Sequence, residues 1–70
     1  GNMPCIMNAA NEAAVAAFLQ EKIGFYSITD VVSETMDKTE FIAHPDIEEI
    51  FETNKAAYAA AKMFIDKIKG

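Results

Sequence analysis

The 70-residue chain has no tryptophan, no arginine, one cysteine, two prolines and three glycines. Each scarcity closes something off. A single cysteine cannot form an internal disulfide, and Cys5 with His44 is too few soft ligands for a structural zinc. Without arginine no guanidinium can clamp a phosphate in bidentate fashion, and six lysines against eleven acids leave a net charge of −5, a sign that repels nucleic acid. No apolar run approaches the roughly 20 residues of a membrane span, and no basic-then-apolar leader precedes a small-residue cleavage site. The composition therefore predicts a soluble, cytoplasmic protein with neither nucleic acid nor membrane as partner.

What remains is apolar and small. Fully 51% of the side chains are apolar, and alanine, the commonest residue, favours helix over strand where glycine and proline are scarce. A chain this short buries only roughly 60% of the surface its unfolded form exposes. With no disulfide or metal as a staple, the core must be wholly apolar or lean on something outside the chain. The chain opens Gly1-Asn2-Met3, without an initiator methionine. It is therefore expected to be an excised piece, with residues 1–3 a tag remnant or linker end and residues 4–70 a single domain.

The hydrophobic pattern predicts an all-α fold, a small bundle of three to four helices near residues 4–23, 28–38, 46–52 and 53–69, the last two either separate or continuous across Thr53-Asn54. The first is apolar nearly all the way round, with almost no charge after Glu12, and reads as a central helix with neighbours on several sides. Its start is set either by Pro4 as the first helical position or by Asn8 as a cap; its stop is expected at Gly24, in the left-handed C′ position. Such a helix, stripped of neighbours, predicts an apolar patch and self-association.

Ser27 with Asp30 has capping-box spacing for the second helix, whose inward stripe is Ile28, Val31, Val32, Thr35 and Met36. Between residues 38 and 44 periodicity is lost, and Phe41 and Ile42 read as apolar anchors for the loop. Pro45 opens the third helical region, capped by His44 or Asp46, and Asp46 with Glu49 again has capping-box spacing. Its expected inward stripe is Ile47, Ile50, Phe51, Asn54, Ala57, Tyr58, Ala61, Ile65 and Ile68. Acids at its amino end and Lys62, Lys67 and Lys69 at its carboxyl end complement the helix dipole.

Few residues carry chemistry. Glu48, Glu49 and Glu52 could offer oxygens to a hard cation such as Mg²⁺, but the dipole already accounts for acids at a helix start. His44 has no positioned nucleophile and sits in a loop before a proline, which favours a loop or capping role over general base. Cys5, between apolar Pro4, Ile6 and Met7, reads as a packed thiol. Ser27 in Tyr26-Ser27-Ile28 lacks the preceding acid of a phosphopantetheine attachment serine, and helix capping explains it. There is no Gly-rich phosphate loop, Gly-x-Ser-x-Gly elbow or calcium loop. The residues thus identify no catalytic, cofactor-binding or metal-binding position.

One stretch is more specific: Asn8-Ala9-Ala10-Asn11-Glu12, then Ala14-Val15-Ala16-Ala17-Phe18-Leu19 and Lys22-Ile23-Gly24-Phe25. Three polar side chains at i, i+3 and i+4 on an otherwise alanine and aliphatic helix need partners if buried. They form a cap, a loop tether or a contact with a missing neighbour. This stretch, together with Ile28-Thr29-Asp30-Val31-Val32 and Asp46-Ile47-Glu48-Glu49-Ile50-Phe51-Glu52, resembles the carboxy-terminal helical domain of the 1-deoxy-D-xylulose 5-phosphate reductoisomerase family. Departures are Ala13, where a larger aliphatic is usual, and Asn54 and Tyr58, where an acid and an arginine are usual.

The resemblance implies that residues 4–70 are the carboxy-terminal domain of a larger NADPH- and divalent-metal-dependent enzyme of non-mevalonate isoprenoid biosynthesis. It implies NADPH and Mn²⁺ or Mg²⁺ for the intact enzyme, bound by dinucleotide-binding and catalytic domains of the same chain, in a homodimer. It places no cofactor, metal or catalytic residue here: neither His44 nor Glu48 and Glu52 corresponds to a family site residue. The rival expectation is a stand-alone acidic helical interaction module.

Overall fold

The computed structural model describes residues 1–69. Three helices follow one another: α1 (Met3–Leu19), α2 (Ser27–Lys38) and α3 (Ile47–Lys69). Each packs against the other two, and the described residues contain no strand. α3 is continuous through Thr53 and Asn54, so the bundle takes the three-helix form of the expected all-α fold. Its 23 residues, at a rise of about 1.5 Å each, run nearly the whole 36 Å length of the molecule.

The core is built mainly from alanine. Ala9, Ala10, Ala13, Ala14 and Ala17 of α1 are buried, as are Ala57 and Ala61 of α3, around Ile6, Ile23, Val31 and Ile65. Side chains this short remove little apolar area each, but they let helix backbones approach closely. On α2, Val31 and Thr35 are fully buried and Ile28 and Met36 pack against the core, as the spacing predicts, whereas Val32 of the same expected stripe is only half-buried and lines an open groove. Thr35 returns its hydroxyl to the Val31 carbonyl at 2.7 Å, so the buried oxygen is satisfied within its own helix.

α3 follows the expected stripe at Ala57, Tyr58, Ala61 and Ile65 and departs from it at Asn54 and towards both ends. The buried positions are Thr53, Ala57, Ala61 and Ile65, a strict i+4 row, while Asn54 is exposed. Ile47, Ile50, Phe51 and Ile68 are exposed as well. Thr53 wins the inward place over Asn54 because its hydroxyl meets a partner there.

That partner is Asn2. Residues 1–3, expected to lie outside the domain, are part of it. Asn2 is buried, and its Nδ2 donates to Thr53 Oγ1 and to the Glu40 carbonyl, both at 3.0 Å. Its Oδ1 accepts from the Ile42 N–H at 2.8 Å, and its own N–H donates to the Ile42 carbonyl at 3.0 Å. The Asn2 carbonyl meanwhile accepts from the Ile6 N–H. A residue well suited to cap a helix with its side chain does not do so here, because that side chain is committed to the loop and to α3. Pro4 sits in the first turn of α1 and Asn8 lies within the helix, which decides between the two expected starts. The loop before α3 is thus held by the Ile42 backbone. Phe41 is not an apolar anchor: its ring is exposed and lies alongside Gly1.

Helix ends follow three different rules. α1 stops at Leu19, short of the expected residue 23, through a Schellman motif: the Lys22 N–H donates to the Ala17 carbonyl and the Glu21 N–H to the Phe18 carbonyl, both at 2.9 Å. The left-handed residue is Glu21, at φ 60°, and Gly24 has no positive φ. Placing the turn three residues earlier brings Ile23 back into the core. The expected Ser27–Asp30 capping box is absent. Ser27 is already helical behind an αR Tyr26, and its N–H donates to the Gly24 carbonyl at 3.1 Å, so a tight turn leads in instead. The Asp46–Glu49 box is complete: the Asp46 N–H donates to Glu49 Oε1 at 3.0 Å and the Glu49 N–H to Asp46 Oδ1 at 2.7 Å.

Three substitutions test these contacts. Asn2→Ala should destabilise the domain by about 2–3 kcal/mol, because it leaves buried groups unpaired on both the loop and α3; urea unfolding measures it. Glu21→Gly should stabilise by about 0.5–1 kcal/mol by relieving the left-handed conformation, the glycine's entropy offsetting part of the gain. Gly24→Ala should not destabilise, since a Cβ there meets nothing within 4 Å; the same titrations compare the pair.

Candidate functional site: the outward face of the first helix

The chemistry-bearing residues are dispersed. His44, Glu48 and Glu52 are exposed, and Glu49 is engaged with the Asp46 N–H. Ser27 is the first residue of α2. The Cys5 thiol, half-buried, donates to the Ile50 carbonyl at 3.6 Å and so joins α1 to α3. Among the described residues, no three of His, Cys, Asp and Glu come together in a way that could hold a metal ion.

The distinctive feature is α1 itself. Its buried positions, Ile6, Ala9, Ala10, Ala13, Ala14 and Ala17, occupy about 140° of the helical wheel at 100° per residue. The expectation of neighbours on several sides is only half met, since α2 and α3 both pack on this arc. Pro4, Met7, Asn8, Asn11, Glu12, Val15 and Leu19 are exposed on the opposite side. Met7 is 44% exposed, Val15 36% and Leu19 73%. Met7, Asn8 and Asn11 also form one wall of an open groove of about 540 Å³ whose other side is Val32 of α2.

This face is unusual in charge. Glu12 is the one charged residue of the 17 in α1. On α3 the exposed residues include Glu48, Glu52, Lys55, Lys62, Asp66 and Lys67, and on α2 they include Asp30, Asp37 and Lys38. Asn8 and Asn11 make no side-chain hydrogen bond among the described residues. Burial, the condition under which the Asn8, Asn11 and Glu12 group would need partners, is not met within these residues: all three are exposed, and neither amide caps α1 or tethers a loop. What sequence reasoning missed is Asn2, whose signal was a cap-type residue directly before Met3-Pro4.

Comparison with known proteins places the chain. The family described as DXP reductoisomerase C-terminal domain matches residues 1–60, so the match includes Asn2 and all of α1. Among curated relatives, the 1-deoxy-D-xylulose 5-phosphate reductoisomerase of Phocaeicola vulgatus is 48% identical over 61 residues, 87% of this chain and 16% of the relative. That of Bacillus cereus strain AH187 is 50% identical over 56 residues, 80% of this chain and 15% of the relative. A third, from Bacteroides fragilis, is 43% identical over 67 residues, 96% of this chain and 17% of the relative. The chain thus spans about one-sixth of the length of the curated relatives it matches.

The two faces of α1 should respond oppositely to substitution. Ala14→Leu should overpack the bundle and cost about 1–3 kcal/mol, whereas Asn11→Ala, on the outward face, should stay within about 0.5 kcal/mol. Thermal unfolding of the two variants in parallel checks the assignment.

Proposed function

We propose a function from one premise: the chain belongs to the DXP reductoisomerase C-terminal domain family. It serves as the non-catalytic helical support of a larger enzyme that rearranges 1-deoxy-D-xylulose 5-phosphate and reduces the resulting aldehyde to 2-C-methyl-D-erythritol 4-phosphate. NADPH supplies the hydride and Mn²⁺ or Mg²⁺ assists, both held by the dinucleotide-binding and catalytic domains of the same polypeptide. The enzyme acts as a cytoplasmic homodimer in the non-mevalonate route to isoprenoids.

The observation that carries this reading is the family match over residues 1–60. That match also sets aside the stand-alone interaction module. The support is mechanical. A bundle whose core is mostly alanine has little freedom to repack, so it offers a fixed wall to the domains it packs on. Holding catalytic groups in place matters because a misplacement of about 1 Å can cost on the order of 100-fold in rate.

In the full-length enzyme, His44→Ala, Glu48→Ala and Glu52→Ala should each keep kcat and KM within about twofold, as substitutions outside the reacting groups do. Removing α1 to α3 should lower kcat/KM by on the order of 100-fold or more. Both are read by NADPH oxidation in steady-state assays. A loss of kcat in any of the three point variants, or full activity without the helices, overturns the supporting role.

A further inference from the structure

We infer that the outward face of α1, centred on Asn8, Asn11 and Val15, is the surface buried against the rest of the reductoisomerase polypeptide. This inference rests on the proposed supporting role and names the surface through which it acts.

Three observations select this face. The first is its charge. A helix side left in water ordinarily carries lysine and glutamate, as α2 and α3 do here, yet α1 presents two amides, one carboxylate and the side chains of Met7, Val15 and Leu19. Depletion of charge with retained apolar area marks the buried centre of a protein interface. The second is the pairing capacity of the amides. Asn8 and Asn11, one turn apart, each offer two donors and an acceptor, and these are not engaged within the domain among the described residues. Backbone N–H and C=O groups of a facing segment would satisfy them at far lower desolvation cost than lysines would incur.

The third observation is the chain beyond these residues. In the relatives this stretch is 15 to 17% of the whole, so about five-sixths of such a polypeptide is available, covalently attached and at high effective concentration. The occupant is therefore a segment of the same polypeptide. It presents apolar side chains to Met7 and Val15, backbone polar groups to Asn8 and Asn11, and a basic group to Glu12. The exposed apolar side chains Phe41, Ile47 and Phe51 are a weaker choice, because acids flank them in sequence at Glu40, Asp46, Glu48 and Glu52.

Two methionines supply the test. Met7 lies on the α1 face, while Met63, 74% exposed, lies on α3. In the native full-length enzyme, hydrogen peroxide should oxidise Met63 within about twofold of its rate in urea, whereas Met7 should react at least tenfold more slowly than in urea; peptide mass spectrometry reads both. Val15→Lys should restore Met7 reactivity to that of Met63. Equal reactivity of the two methionines in the native enzyme overturns the inference. So does Met7 protection that vanishes on dilution, which would make a second copy the occupant. The enzyme without α1 to α3 keeps the two ideas apart. If that deletion abolishes turnover while Met7 is unprotected, the supporting role stands and this face is wrong; if turnover survives the deletion, the supporting role falls.

Discussion

The arrangement of the three helices depends on the burial of one amide. Asn2 reaches α3 through Thr53 and the preceding loop through Glu40 and Ile42, while its backbone carbonyl closes the first turn of α1. A buried primary amide is tolerated only when its donors and acceptor are met, so the position of Asn2 fixes the places of its partners. Thr53 must face inward, which sets the rotation of α3. With that rotation the i+4 row of Ala57, Ala61 and Ile65 falls on α1, and the isoleucines and Phe51 near the amino end of α3 are turned to the surface.

The rotation also determines which side of α1 is left over. Both partners pack on the alanine arc, and the amides and aliphatics face away. A domain of this size stands near the lower limit for folding on its own core. The composition left two routes open, a wholly apolar core or support from outside the chain, and the outward face of α1 is where the proposed support would act.

Most of the fold was legible in the sequence because helix length, helix order and apolar spacing are local properties. The Asp46–Glu49 box and the inward row of α2 could be read directly, since each needs only residues a turn apart. On α3 the row of Ala57, Ala61 and Ile65 was legible too, but the choice of Thr53 over Asn54 one turn earlier was not, because Asn2, 51 residues away, decides it. The stop of α1 was missed for a similar reason. Glycine is the preferred left-handed residue, but burial of Ile23 favours an earlier turn and places Glu21 in that conformation. For the site, the resemblance and the Asn8, Asn11 and Glu12 group were visible, whereas their orientation had to await the packing of α2 and α3.

The alanine seam has a consequence for how this stretch tolerates genetic change. A single-base change in an alanine codon yields threonine, serine, proline, valine, glycine, aspartate or glutamate. At the buried Ala9, Ala14, Ala57 or Ala61, proline breaks the helix, the acids bring an unpaired charge, and valine and threonine add atoms that overpack a close-packed seam. Serine and glycine add the least bulk, and both weaken the helix. The least chemically distinctive residues in the chain are therefore the ones with the fewest tolerable neighbours in the genetic code.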